Sequence, residues 1–245
     1  MVPKTAFHSV TAMEATHTES ATLAGRLAFL REATRTFRTT GAIAPSSAGL
    51  AARLAERLAG ERHRSHRPLS VLEVGAGTGS VTRTLAGLLG PQDRLDVVEL
   101  NPRFVDLLDR ALVTDPALCA ASGDIRIVPG SITRLELGRR YDVIVSCLPF
   151  ANFEPGEVQE IMDRYLSLLV PGGHLSYFRY LGTRVLRTLL PGRAEIVRHR
   201  SVTALLTGIE SRYGTGGGVV WGNLPPARVV HLRSERTVAR AADAA

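Results

Sequence analysis

Val71-Leu72-Glu73-Val74-Gly75-Ala76-Gly77-Thr78-Gly79 decides the fold. An apolar run, Leu69–Val74, passes into three glycines at alternate positions and then into a helical pattern near Val81–Leu89. A strand, a glycine turn and a helix in that order let the backbone pass close beneath a ligand, because glycine has no side chain to obstruct it. Glu99 stands twenty residues after Gly79, at the end of a second apolar run, Leu95–Leu100. A carboxylate there is placed to accept hydrogen bonds from the two ribose hydroxyls of an adenosine ligand. Glu73 precedes the first glycine by two residues. Its charge opposes a pyrophosphate and suits a ligand carrying positive charge. The spacing Gly-x-Gly-x-Gly also departs from the Gly-x-Gly-x-x-Gly of dinucleotide sites.

Outward from this stretch, strands alternate with helices. Pro102–Val113 shows a helical face of Phe104, Leu107, Leu108 and Leu112. Ile125–Val128 and Tyr141–Ser146 read as the third and fourth strands. A helix at about Glu157–Leu169 is striped by Val158, Ile161, Met162, Tyr165 and Leu169, and Pro171-Gly172-Gly173 turns into a fifth strand, His174–Tyr180. This rhythm specifies an α/β fold, a mostly parallel sheet with helices on both faces. After a helix near Thr183–Leu190, two further β-like runs, Glu195–Arg200 and Arg228–Leu232, flank a Gly- and Pro-rich segment. Gly214–Gly218 reads as a loop, since no helix follows it.

The 245 residues carry 44 % hydrophobic and 22 % charged side chains, a globular balance that excludes a disordered chain. Two cysteines in unrelated contexts, Cys119 and Cys147, exclude a disulfide scaffold and a Cys-rich zinc site and point to a reducing cytoplasm. No apolar run reaches the length of a membrane span, and Met1–Leu23 has no signal-peptide pattern. No metal ligands are evident, since His63 and His66 lie in a basic stretch, Gly60–Pro68, that reads as a linker. The net charge of +7 points to a polyanionic partner. Leu23, Leu27, Leu30, Ala33 and Phe37 recur at helical spacing, with Arg26, Arg31, Arg35 and Arg38 largely off that stripe, which makes a basic amphipathic helix. Ser46 or Ser47 can cap a second helix, about Ala48–Leu58.

The glycine turn with Glu73 and Glu99 resembles motif I of the class I S-adenosylmethionine-dependent methyltransferases. The resemblance spans roughly Leu69–Tyr180. It implies a Rossmann-like seven-stranded sheet closed by an antiparallel terminal hairpin. With the small, polar, aperiodic start of the chain and the helical patterns that follow, three parts are expected: an arm at 1–22, an N-terminal helical lid at 23–60 and the catalytic domain at 61–245. The resemblance also has a cofactor consequence. It implies S-adenosyl-L-methionine as cofactor, held by Glu73, Gly75, Ala76, Gly77 and Gly79, by Glu99 with Leu100 and Asn101, by Ser131 and Ile132 beside the adenine, and by Ser146 in the loop near the methyl. Asp is frequent in that family where Ser131 stands here.

Three further segments, Phe37–Ser47 (FRTTGAIAPSS), Leu148–Phe153 (LPFANF) and Trp221–Ala227 (WGNLPPA), resemble in their order the bacterial phospholipid N-methyltransferases of the PmtA type. That resemblance implies transfer to the amine of phosphatidylethanolamine or its methylated derivatives, at an anionic membrane surface, by a cytoplasmic protein peripheral to the inner face of the plasma membrane. Arg26, Arg31, Arg35, Phe37, Arg38, Phe150 and Arg179 are the expected lipid contacts, Arg179 or Arg35 holding the phosphate. Tyr180, Ser146 and Asn152 are the expected residues at the reacting amine. Tyr177 and Tyr180 cannot face the same way along one strand. Cys147 reads as packing, and His174 as structural. The alternative is a natural-product N- or O-methyltransferase with the same core. An rRNA adenine dimethyltransferase ranks lower, because the loop Cys147-Leu148-Pro149-Phe150 lacks the asparagine of the Asn-Leu-Pro-Tyr motif, so no nucleic-acid partner is expected.

Overall fold

A computed structural model describes residues 46–181 and 193–235. The expected arm, the basic amphipathic helix with Arg26, Arg31, Arg35, Phe37 and Arg38, and the helix near Thr183–Leu190 lie outside these residues.

Seven strands form one sheet in the order β3-β2-β1-β4-β5-β7-β6. They are β1 (Ser70–Val74), β2 (Arg94–Glu99), β3 (Asp124–Pro129), β4 (Tyr141–Ser146), β5 (Leu169–Tyr180), β6 (Gly214–Val220) and β7 (Ala227–Arg233). The first five run parallel, and β7 is antiparallel to both β5 and β6. The helices are α1 (Ala48–Arg64), α2 (Ser80–Ala86), α3 (Pro102–Thr114), the short α4 (Pro116–Cys119), α5 (Pro155–Leu168) and α6 (Arg193–Tyr213).

The core lies in two layers, as period-2 side-chain alternation requires when both faces of a sheet are covered. Val71, Leu95, Val97, Val143, Val145 and Val229 meet Leu50, Leu54 and Leu58 of α1 and Val81 and Leu85 of α2. Leu72, Val74, Ile144, Leu175 and Tyr177 meet Val158, Met162 and Tyr165 of α5 and Val202 and Leu206 of α6.

Three expectations change. The helix that Ser47 caps, with its Oγ accepting from Leu50 N at 3.2 Å, runs on to Arg64 rather than stopping near Leu58. Gly60–Arg64 is therefore its last turns and not a linker, and the helix crosses the expected 60/61 boundary and is packed on the sheet. Glu195–Arg200 is helical, not β: Val202, Leu205, Leu206, Ile209 and Tyr213 carry a stripe at 3.6-residue period that the β-branched pair Ile196-Val197 and Gly208 obscure. Gly214–Gly218 is not a loop but most of β6, the edge strand of the terminal hairpin. A Cβ at Gly217 would lie 2.1 Å from the Val229 carbonyl oxygen, so only glycine lets this strand approach β7 so closely.

Two buried histidines sit where α1 crosses the sheet. His174 Nε2 lies 3.1 Å from Glu61 Oε1, and His231 Nδ1 lies 2.8 Å from Ser176 Oγ. His174 is structural, at the sheet and far down its strand from the carboxyl ends.

Replacing Leu54 of α1, fully buried among sheet residues, by Ala should lower stability to urea by about 2–5 kcal/mol. An unchanged midpoint would mean that α1 is not part of the core.

Candidate cofactor and acceptor site

The chain leaves β1 at Val74 into a turn in which Gly75, Gly77 and Gly79 hold φ of 78°, 57° and 81°. Gly75 N donates to Val98 O on β2 at 2.8 Å, which ties the turn to the neighbouring strand. Glu99 closes β2 with both oxygens engaged: Oε2 accepts from Gly77 N at 2.9 Å and Oε1 from Asn101 N at 2.8 Å. The carboxylate is thereby aimed across the mouth of the turn, each oxygen keeping a further lone pair for a diol. A Cβ built on Gly77 would meet nothing within 4 Å, so the turn borders open space.

Glu73 is fully buried, and its Oε2 has no hydrogen-bond partner among the described residues. The Thr82 hydroxyl of α2 is likewise buried and faces this carboxyl. Burial first, then the charge of Glu99, pushes the Glu73 carboxyl up to about 7, with Thr82 and Cys147 easing it in part. Cys147 Sγ lies 3.9 Å from Glu73 Oε1. Burial and the two glutamates hold its thiol well above the ordinary range, so it stays protonated and is no nucleophile. A buried carboxylate with one oxygen left unengaged, beside the Thr82 hydroxyl and a glycine cradle, fits the cationic cofactor that the resemblance implies. Glu73 and Thr82 would face its charged amino-acid end and Glu99 its ribose.

The remaining expected cofactor residues surround this turn in different ways. Ala76 is buried in the core beside α1 and α2. Leu100 is half-buried, and Asn101 spends its side chain capping α3, Oδ1 accepting from Arg103 N at 3.1 Å. Ser131 Oγ lies 3.1 Å from Thr133 Oγ1, and Ile132 is buried in the core below.

The three expected acceptor residues do not share one face of the sheet. Ser146 pairs in register with Tyr177, is fully buried, and accepts a hydrogen bond from Tyr165 Oη of α5 at 3.0 Å. Asn152 is buried at the end of a 3-10 turn, Phe150–Asn152. Tyr180, three residues beyond Tyr177, packs on the opposite face with Cys147 and stacks edge-on against Phe178 at 5.0 Å. Burial and the neighbouring Cys147 raise its pKa, so it remains a neutral phenol. Glu73, Cys147 and Tyr180 are thus the polar groups gathered at the ends of β1, β4 and β5 on the α1–α2 face.

Phe150 is not a membrane contact. It is 1 % exposed, in a T-shaped stack on Tyr177 at 5.6 Å, because the 3-10 turn folds it back under the sheet's end. Arg179 does not stand open either: its Nη2 lies 2.8 Å from Glu210 Oε1. The same oxygen accepts from Tyr177 Oη at 2.8 Å, and Arg228, opposite Arg179 on β7, lies 3.7 Å from Glu210 Oε2. The sequence does not point to Glu210, because Glu195–Arg200 reads as β and Glu210 falls in the Gly- and Pro-rich segment after it. The i, i+4 spacing of Leu206 and Glu210 on one helix was the signal that could have found the carboxylate. Among the described residues no group of three or more His, Cys, Asp and Glu stands together as a metal site.

Residues 71–173 match the family model described as a methyltransferase domain. The ornithine lipid N-methyltransferase of Singulisphaera acidiphila is 30 % identical over 132 residues, which cover 54 % of this chain and 65 % of that protein. The chain thus spans less than two thirds of the length of that relative. Among solved structures, magnesium protoporphyrin IX methyltransferase from Synechocystis PCC 6803 with bound SAM superposes with a TM-score of 0.52 at 14 % identity, over 76 % of this chain and 80 % of that one. A SAM-dependent methyltransferase from Methanosarcina mazei gives 0.55 at 15 % identity, over 71 % and 96 %. At these identities the structures establish a shared fold.

Binding of S-adenosylmethionine should strengthen with pH, since its positive charge favours ionised Glu73 and a proton competes with it. With the carboxyl near 7, the dissociation constant measured by calorimetry should fall about tenfold from pH 6 to pH 8. Glu73→Gln should weaken binding at pH 8 and remove this slope. A slope retained in that variant would assign it to another group. The sign for stability is opposite: with its pKa raised above the unfolded value of 4.5, Glu73 makes the cofactor-free protein less stable as pH climbs from about 4.5 to about 7.

Proposed function

We propose that this chain, whose residues 71–173 match the methyltransferase-domain model, uses S-adenosylmethionine to methylate the amine of a zwitterionic lipid headgroup at a membrane surface. Phosphatidylethanolamine and its methylated derivatives are the acceptors we infer, with the protein peripheral to the cytoplasmic face of the membrane. The observation that carries the chemistry is the buried, half-unpartnered Glu73 between a glycine cradle and Glu99. The lipid acceptor is supported by the likeness to the ornithine lipid N-methyltransferase.

The bound cofactor supplies an electrophilic methyl on a sulfonium. The protein's part is then alignment and exclusion of water. Buried Glu73 would balance the cofactor's positive charge, and Glu99 would hold its ribose end. The acceptor nitrogen would react as the free amine, its ammonium proton having first passed to solvent. Tyr180, a neutral phenol at the end of β5 beside Cys147, can accept a hydrogen bond from an amine N–H and orient its lone pair.

A headgroup of this class carries an anion beside its amine. Arg179 and Arg228 face one carboxylate, Glu210, so this trio keeps one uncompensated positive charge near the sheet's carboxyl edge. Arg228 is about half exposed and only loosely held, which suits a phosphate or carboxylate partner.

Methyl-labelled S-adenosylmethionine with detergent-dispersed phosphatidylethanolamine, ornithine lipid or a soluble primary amine tests the reading. Label should enter a lipid. Label in the soluble amine alone would replace the lipid reading with a natural-product methyltransferase. Arg228→Ala should lower kcat/KM on the lipid about tenfold, mainly through KM. Tyr180→Phe with unchanged turnover would remove Tyr180 from the reaction.

A further inference from the structure

The connection between β6 and β7, residues 221–226, is built inside out for a loop in water. Its polar residue is turned in: Asn223 is 5 % exposed, its Oδ1 accepting from Ser47 N at 3.0 Å and its Nδ2 donating to Pro225 O at 2.8 Å. Its large apolar residues are turned out: Trp221 is 74 % and Leu224 72 % exposed, with Val219 beside them on β6. Most leucines of the described residues lie in the core, and two large apolar side chains turned out together at one hairpin tip call for a partner.

The position of the tip narrows that partner. Ala227, the first residue of β7, pairs with Tyr180 at the end of β5, and Leu181 N donates to Pro226 O at 2.7 Å. The tip therefore stands at the carboxyl edge of the sheet, the edge to which Glu73, Glu99 and Cys147 also lead. From Gly214 to Arg233 the chain has no acidic residue, while Arg228 lies exposed at the foot of the tip. Trp is the side chain best suited to the boundary between acyl chains and headgroups, having an apolar body and one N–H.

We propose that Trp221 and Leu224 form a bilayer anchor: the hairpin tip inserts into the interface of an anionic membrane and brings the mouth of the site to headgroup level. This rests on the lipid-acceptor reading and adds the surface that meets the lipid.

Trp221 is the only tryptophan of the chain, so its emission reports on this site alone. The whole protein is titrated with vesicles of phosphatidylethanolamine and phosphatidylglycerol, with and without bromine-labelled acyl chains. A blue shift and quenching by the brominated lipid are expected. Trp221→Ala with Leu224→Ser should weaken vesicle binding about tenfold or more, while transfer of label to detergent-dispersed lipid continues. Emission that stays unshifted and unquenched by brominated lipid overturns the anchor, as does a double variant that binds vesicles like the parent. Methylation of detergent-dispersed lipid is read separately, so loss of the anchor leaves the acceptor reading standing, and absence of lipid methylation removes that reading alone.

Discussion

In the strand order β3-β2-β1-β4-β5 the chain builds outward from β1 in one direction and from β4 in the other. The connections after these two central strands must therefore diverge, and the crevice between them is where an open α/β sheet can admit a ligand. Everything chemical described above hangs on that divergence. Glu73 and Cys147 face each other across it because β1 and β4 are neighbours in register, Val74 beside Ser146. Glu99 enters from the next strand, and Tyr180 from the strand on the other side. A carboxylate at Glu73 is expensive there for the same reason that it is useful: the low dielectric that penalises its charge strengthens its attraction for a cation.

The two ends of the sheet use charge differently. At the amino ends of the strands, Asp93, Asp96 and Asp142 are buried and answered by Arg62, Arg126 and Arg67. Asp93 also accepts from Leu69 N and Gly90 N, and Asp96 from Tyr141 Oη at 2.6 Å, so these acids splice loops to strands. Part of the arginine excess is thus structural and neutralised. The carboxyl end is the less balanced one, with Arg179 and Arg228 sharing Glu210. A bare net charge does not distinguish these two uses, whereas their positions do.

The central strands, the glycine turn and Glu99 were legible because each has a local cause: apolar runs bounded by turn residues, positive φ at glycine, and a carboxylate at a fixed distance. The extent of α1 was not, because Gly60, Glu61 and Arg62–Arg64 read as polar linker until Glu61 meets His174 and Arg62 meets Asp93, both far along the chain. The nature of α6 was hidden by Ile196-Val197, whose β preference is overridden by packing of Val202 and Leu206 against α5. β6 defeats any local reading, since a strand of four glycines in seven residues is specified by the backbone of β7 and not by its own side chains. Phe150 shows the limit on the site itself: an aromatic in a strand-end loop reads as a ligand contact, and only the turn geometry reveals that it faces inward.

The histidines under α1 give that contact a chemical weakness. Burial holds His174 below its ordinary value and His231 down to about 4, with Arg53, Arg57 and Arg233 adding to the penalty and Glu56 and Glu61 opposing it. Both rings therefore take up a proton less readily in the folded chain than a free imidazole does. As pH falls through 6.5, the unfolded chain binds protons at these two positions more readily than the folded one, and stability is lost at the seam between α1 and the sheet. Acid thus loosens one joint in particular: the helix that completes the α1–α2 layer is fastened through imidazoles whose protonation the fold disfavours.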